Sequence, residues 1–272
     1  MRSKHKKRSG ITLLSYFFVV ITIIYLLIPL IATGIYSVFE NWTGIIPRGF
    51  SFQSYIDLFQ DELFIKSIFE TIVICIVPIV LTSFVVLLAL FATLVYFPRF
   101  EKYLQLICVI PYTIQGVILS VSILGLYVEA NGILSNRLVM LTGAYCIIIL
   151  PYIYQGIRNG MQAIHMTTLL EAAEMLGCSK IKGFFKIIVP NILSGVITSS
   201  LLAVGIIFGD YVLIRNLAGS QISNMQIYLY QAMKTDSMKS SAVFVIIMLI
   251  TFIIAVIVLN LSDKKKTVKN TK

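Results

Sequence analysis

Apolar residues in this chain run on for bilayer-spanning lengths, and polar residues are confined to the gaps between the runs. Six runs stand out, at residues 11–39, 67–97, 104–128, 138–157, 192–214 and 241–261. Crossing about 30 Å of hydrocarbon takes about 20 helical residues, so each run is long enough. A backbone in lipid must satisfy its own hydrogen bonds, and a β-barrel would show shorter segments that alternate apolar and polar. The pattern therefore predicts an all-α, polytopic membrane protein of six transmembrane helices. Pro29, Pro78, Pro111 and Pro151 fall at or inside the runs, where each removes an N–H donor and favours a kink.

The gaps predict the orientation. Basic residues gather at the N-terminus (Arg2, Lys4, Lys6, Lys7, Arg8), after the second run (Arg99, Lys102), between the fourth and fifth (Arg158, Lys180, Lys182, Lys186) and in the tail (Lys264, Lys265, Lys266, Lys269, Lys272). With six crossings these segments share one side, which the positive-inside tendency makes the cytoplasm. The opposite loops carry fewer basic residues, and the first is acidic through Glu40, Asp57, Asp61 and Glu62. The expected layout is a basic cytoplasmic N-terminus at 1–10, a membrane domain at 11–261 and a basic cytoplasmic tail at 262–272.

Composition adds exclusions. With 58% hydrophobic and 12% charged residues the chain is far from the roughly 25% charged content of soluble domains. The net charge of +10 is split into patches at span ends, which suits anionic headgroups and argues against nucleic acid. The first run is longer than the roughly 7 to 15 residues of a signal-peptide core, so an uncleaved span is expected. Cys75, Cys108, Cys146 and Cys178 show no metal or redox spacing and read as packing residues. In the first outer loop, Asn41-Trp42-Thr43-Gly44 and Pro47-Arg48-Gly49-Phe50 are turn-like, and 51–64 predicts a short amphipathic helix. Trp42, Phe50 and Phe52 suit a membrane interface.

The 158–190 gap is long for a connection between neighbouring membrane helices. Residues 167–176 are mainly strong helix formers, Gly177 offers the positive φ that ends a helix, and Ser179 is placed to cap the next one. Ile181, Phe184, Phe185 and Ile188 predict one apolar face of that second helix, with Pro190 opening the fifth span. Small Ala172 and Ala173 would let another surface approach, and Glu171 offers it a carboxylate. An amphipathic helix pair lying on the inner membrane surface is the alternative. The spacing Glu171-Ala172-Ala173, three residues, Gly177, nine residues, Ile187, one residue, Val189, Pro190 resembles the cytoplasmic loop of permease subunits of ATP-binding-cassette importers, with Val189 where leucine is usual. The resemblance extends to the plan of six spans with this motif between the fourth and fifth. It implies a coupling loop at 158–190 in which Glu171, Ala172, Ala173, Gly177, Ile187 and Pro190 dock an ATPase subunit. It also implies a second permease subunit, identical or not, and an extracellular solute-binding protein that delivers cargo.

The chain has no G-x-x-x-x-G-K-[ST] phosphate loop, so ATP and Mg are expected on the partner ATPase and no cofactor on this chain. No nucleophile-base set is persuasive, and His5 and His165 read as surface residues, so no enzymatic activity is expected. Ionisable groups at membrane depth default to functional candidates. Asp210 and Tyr211 are candidates for the translocation path, with Arg215 a possible neutralising partner, and Glu70 and Glu129 sit where they can reach water. Tyr112, Gln115, Tyr152, Tyr154 and Gln155 add polar groups beside Pro111 and Pro151, for a path or for interhelical hydrogen bonds. Gly209-Asp210-Tyr211-Val212 resembles the spermidine/putrescine permease branch, and the stretch from Trp42 to Phe50 its 2-aminoethylphosphonate members. A small amine-bearing or charged solute is the implied cargo, and a prokaryotic cytoplasmic membrane the implied location. The competing reading is a secondary transporter that uses Asp210 and Glu70 to couple an ion gradient, although the inverted repeats frequent in such folds are not evident.

Overall fold

The structure is a computed structural model that describes residues 3–41, 48–114, 116–127, 132–219 and 221–270. Trp42 and Glu129 lie outside the described residues. The chain divides into two compact parts, one built from Met1–Asp61 and Leu229–Met248, the other from Glu62–Tyr228 and Leu249–Lys272.

The first part begins with helix α1, Ser3–Tyr36, whose Tyr16–Tyr36 segment is long and apolar enough to cross a membrane. The chain then turns into a small antiparallel ribbon, β1 (Phe39–Asn41) with β2 (Arg48–Phe50), paired Phe39 to Phe50 and Asn41 to Arg48. The expected amphipathic helix follows as α2, Gln53–Gln60, and ends at Asp61. Asp61 also accepts a 2.7 Å bond from the Lys239 ammonium.

In the second part, α3 is Glu62–Val95, α4 Glu101–Val109 and α5 Gly116–Tyr127. Helix α6 is Arg137–Ala163, α7 Met166–Met175, α8 Lys180–Gly183 and α9 Val189–Phe208. A π-helical stretch, Phe184–Ile188, joins α8 to α9. Two more helices, α10 (Met225–Thr235) and α11 (Ser237–Asn270), each contribute residues to both parts. The backbone of the basic tail is helical as far as Asn270, continuing the last span.

Five of the expected spans are each carried by one long helix among the described residues. The third departs from expectation. Residues 104–128 do not form one helix: α4 passes through a 3-10 turn at Ile110–Thr113, and α5 leaves at 102° to it. Pro111 lies in that turn, where its missing N–H and ring favour a break. The fifth span departs in the other direction. Lys180–Phe208 passes as one helical segment, so Pro190 lies inside a helix that starts ten residues before it. The π stretch accounts for this, because Val189 N–H reaches back five residues to the Phe184 carbonyl and α geometry resumes at Val189, so that Pro190, which has no N–H to place, falls in the first turn of α9.

Lipid tails are as apolar as leucine, so helices associate in a membrane through close packing, which small residues permit. Helices α3, α6 and α9 pack together this way. Gly156 faces Gly195 and Ser199 across the α6–α9 contact and Gly160 faces Ile192; a Cβ at Gly156 would lie 2.2 Å from the Ser199 Cβ, and one at Gly160 3.3 Å from the Ile192 Cβ. Around this seam Ile149, Ile153 and Ile157 of α6, Leu90 of α3 and Ala203 of α9 are fully buried.

Candidate functional site

Two neighbourhoods hold most of the residues singled out by sequence. The first is the hairpin beyond α6. His165, with φ 49°, is the one non-glycine residue in the left-handed region among the described residues, and it turns the chain from α6 into α7. Met166, Leu170 and Ala173 recur at four- and three-residue spacing and form the buried face of α7. Gly183 of α8 seats against that face, its Cβ position 3.0 Å from Leu170 Cδ1 and 3.6 Å from Ala173 Cβ. Ala173 is therefore covered by this chain itself, whereas Ala172 and Glu171 are exposed. Gly177, with φ 81°, closes the helix as expected: its N–H donates to Glu174 O and the Cys178 N–H to Ala173 O, both at 2.9 Å, the paired bonds of a Schellman motif.

Other expectations for the hairpin are corrected. Ser179 occupies the cap position of α8, but its side chain makes no capping bond. The single apolar face is split: Phe184 and Ile188 are fully buried, with Phe184 against Phe91 at 4.3 Å between ring centroids, while Ile181 and Phe185 are exposed. Each pair is four residues apart, and the two form adjacent stripes, one buried and one exposed. Ile187 is half-buried and Pro190 exposed, both on the helix that becomes the fifth span. Lys180 spans the turn, 3.7 Å from the Glu174 carboxylate and 5.9 Å from the Tyr96 ring centroid. The residues missed by sequence are Met175 and Leu176, which are 90% and 89% exposed at the tip of α7. As good helix formers they read as ordinary helix content; their exposure appears only once the inner face is assigned to Met166, Leu170 and Ala173.

Where α6 approaches this hairpin, Arg158 grips Glu101, the first residue of α4, with Nη2 at 2.7 Å and Nε at 3.1 Å from the same carboxylate oxygen. Both side chains are more than two-thirds buried, and they line a cavity of about 320 Å³ with Leu94, His165 and Thr167.

The second neighbourhood is a groove of about 380 Å³ between α6 and α9. Tyr152, Gln155 and Asn159 line it from α6 and Thr198 and Ser199 from α9, around the small residues of the seam. Tyr112 joins through an edge-on ring contact with Tyr152 at 5.0 Å. Gln115 lies outside the described residues. Asn159 and Thr198 were missed by sequence, although Asn159 follows Tyr152 and Gln155 on the same helical face. Gln155 and Asn159 are exposed, so this chain leaves polar groups uncovered on a helix long and apolar enough to span the membrane.

Asp210 and Tyr211 do not line this groove. Helix α9 ends at Phe208, and the Asp210 carboxylate caps the following turn through the Leu213 N–H at 3.0 Å while accepting 2.9 Å from the Tyr145 hydroxyl. The amide of Asn224 reaches the Asp210 carbonyl at 3.4 Å and that of Gln226 the Phe208 carbonyl at 3.3 Å, so polar groups answer the frayed helix end. Tyr211 is half-buried against the core. Arg215 forms no ion pair with Asp210 among the described residues; Tyr145 takes that place. Glu70 is engaged as well, accepting 2.6 Å from the Ser223 N–H.

Comparison with known proteins places this geometry. Residues 72–267 match the family described as binding-protein-dependent transport system inner membrane component. The chain is 24% identical over 248 residues to the spermidine/putrescine transport system permease protein PotC of Haemophilus influenzae, an alignment that covers 91% of this chain and 95% of PotC. Its fold is similar to a chain of a bacterial ABC transporter involved in the import of the acidic polysaccharide alginate, with TM-score 0.60, 16% identity and coverage of 97% and 99%. It is likewise similar to a chain of a bacterial alginate ABC transporter in complex with an alginate pentasaccharide-bound periplasmic protein, with TM-score 0.63, 17% identity and 96% of each chain covered.

Proposed function

Since the chain belongs to the binding-protein-dependent transport system inner membrane components, permease subunits of ABC importers and not enzymes, we propose that it carries a polyamine or a similar small amine-bearing solute across the membrane and draws its energy from a separate ATPase held at the α7 hairpin. The fold and family make it a multi-pass inner-membrane protein; the cytoplasmic placement of both termini and the hairpin rests on the distribution of lysine and arginine.

The observation that carries the docking reading is the tip of α7. Met175 and Leu176 are almost fully exposed within a segment that also carries Glu171, Glu174, Lys180 and Lys182. Apolar side chains held out from a charged hairpin fit a pocket on another protein, and Glu171 and Ala172 share the exposed side. Gly177, Ile187 and Pro190 serve this reading by fixing the turn and carrying the hairpin's motion directly into the fifth span, because Lys180–Phe208 is one helical segment.

For the cargo, the support is the likeness to PotC and the groove beside α6, where Tyr152, Gln155, Asn159 and Thr198 present hydrogen-bonding groups without fixed charge. Tyr112 borders that path, and we place Gln115 there by sequence. Asp210 and Tyr211, which follow the end of α9, enter this reading as positioning residues, Asp210 through its bond with Tyr145. A second permease subunit closing the groove and an external binding protein presenting the solute complete the assembly. An ion-coupled transporter is not favoured, because its two candidate carboxylates, Asp210 and Glu70, each already hold a backbone N–H.

The test is uptake of labelled spermidine into vesicles that contain this chain with the phosphate-loop ATPase, second permease subunit and binding protein that co-purify with it from its native host. Uptake that requires ATP and the binding protein is expected. Uptake driven by an ion gradient alone would overturn the reading.

A further inference from the structure

The first part of the chain carries a helix that the transport reading does not use. Around α2 the residues divide into three sectors. Phe52, at the N-cap, and Ile56 and Phe59, four and seven positions on, share one face and are 55%, 49% and 59% exposed. Gln53, Asp57 and Gln60 have the same spacing one residue later, about 100° round the helix; they are exposed and polar, with the Gln53 amide donating to Asp57 at 2.7 Å. The third sector faces inward: Leu58 is fully buried and Tyr55 half-buried.

Two hydrogen bonds fix the level of this helix. The Tyr55 hydroxyl shares a 2.7 Å bond with the Ser37 hydroxyl, and Ser51 N–H donates 2.9 Å to the Val38 carbonyl. Ser37 directly follows Tyr36, the last residue of the first span, so Tyr55 is tied within one residue of where that span ends. A helix held at that depth meets lipid on one side and water on the other, which are the two environments its exposed sectors match. The ring of Phe50, which is exposed and packs edge-on to Phe52 at 5.1 Å, extends the apolar sector along the ribbon.

We propose that α2 is an interfacial helix whose axis lies along the membrane surface at the end of the first span, with Phe52, Ile56 and Phe59 inserted among the lipid chains. The occupant of the apolar sector is the bilayer itself. This follows from the tie to the span end, from a neutral apolar face three side chains long, and from a polar sector adjacent to it, the division that characterises helices lying in the interface plane. It is independent of which solute is carried and of where the ATPase docks.

The chain has a single tryptophan, Trp42, so a tryptophan scan reads the proposal directly. In a Trp42→Phe background, tryptophan is placed in turn at 52, 56 and 59 and at 53, 57 and 60, and the full-length chain is reconstituted in vesicles of ordinary and brominated phosphatidylcholine. The proposal expects blue-shifted emission, at least twofold quenching by brominated lipid and protection from acrylamide at 52, 56 and 59, with the reverse at 53, 57 and 60. The period across six variants is the readout, so the failure of any one variant to fold leaves the test standing. Equal lipid and acrylamide exposure in the two sets would overturn it. Protection of 52, 56 and 59 from acrylamide without quenching by brominated lipid would also overturn it and assign the face to a protein partner.

Discussion

The α7 hairpin and the α6 face of the groove break the rules of their surroundings in opposite senses. The hairpin, rich in lysine and glutamate, holds apolar Met175 and Leu176 out almost fully exposed, while α6, a helix apolar enough to span the membrane, leaves polar Gln155 and Asn159 uncovered. Neither surface is comfortable in a lone chain: apolar side chains in water and amides in lipid both cost free energy. On the proposed function, a second permease subunit and a hydrated solute path would answer the groove, and an ATPase pocket the hairpin. The comparison teaches where partners are to be sought, because apolar residues held out of a charged hairpin and amides left uncovered on an apolar helix both mark surfaces that a lone chain does not satisfy.

The largest expected effect bears on the groove. Gly156→Val would place a branched side chain where even a Cβ meets the Ser199 Cβ at 2.2 Å, so α6 and α9 must separate. Overpacking of this kind costs about 1–3 kcal/mol or more. A marked fall in folded, membrane-inserted protein is expected, measured by size-exclusion chromatography after heating, with Gly143→Ala, whose Cβ meets nothing within 4 Å, as the unaffected control and Gly156→Ala as its matched clash. Equal melting of the two alanine variants would remove the close α6–α9 seam from the account.

A smaller effect is expected where Asp210 is held. Tyr145→Phe removes the hydroxyl that donates 2.9 Å to the carboxylate but keeps the Leu213 N–H. One hydrogen bond of this kind contributes about 1 kcal/mol when the carboxylate keeps its backbone donor, so a modest but measurable loss of stability in a denaturant titration is expected, with ATPase retention by the hairpin unchanged. Unchanged stability would mean that Asp210 does not position the end of α9, and would return it to the list of cargo contacts.

The smallest stability effect belongs to the hairpin turn. Gly177 needs its left-handed φ of 81°, yet nothing lies within 4 Å of its Cβ position, so Gly177→Val strains only the turn, by about 1–2 kcal/mol. Melting of the whole chain should barely move, while coupling of ATP hydrolysis to uptake falls. Gly177→Asn, which tolerates that conformation better, should recover part of the coupling. Unimpaired coupling in the valine variant would separate the turn geometry from docking.

Much of this was legible along the chain. The spans followed from apolar length, and the end of α7 from a glycine after a run of helix formers, because both are local. The break of the third span at Pro111 needed tertiary information, since a proline in an apolar run permits a kink, a break or an undisturbed helix, and the other three lie within long helices. Pro190 misled for the related reason that a five-residue π stretch, bonded one residue wider than α, absorbs a proline that would otherwise mark a start. The seam, Gly156 against Gly195 and Ser199 and Gly160 against Ile192, rests on small residues at four-residue spacing, a membrane packing signal that a reading by hydropathy passes over. Asp210 was marked as a costly ionisable group within the fifth span, but it lies in the turn after α9, and its cap and its Tyr145 partner, 65 residues away, are not local. Met175 and Leu176 were invisible because only the buried face of α7 reveals which side is left over.

The most direct measurement of the docking account is co-purification of the ATPase with a chain carrying Met175→Asp and Leu176→Asp together. Burying two such side chains stabilises an interface by about 1.5–3 kcal/mol each, so the account predicts that the variant inserts at the wild-type level, that the ATPase dissociates with about a hundredfold or greater loss of affinity, and that uptake stops. Full retention of the ATPase with wild-type uptake would contradict it.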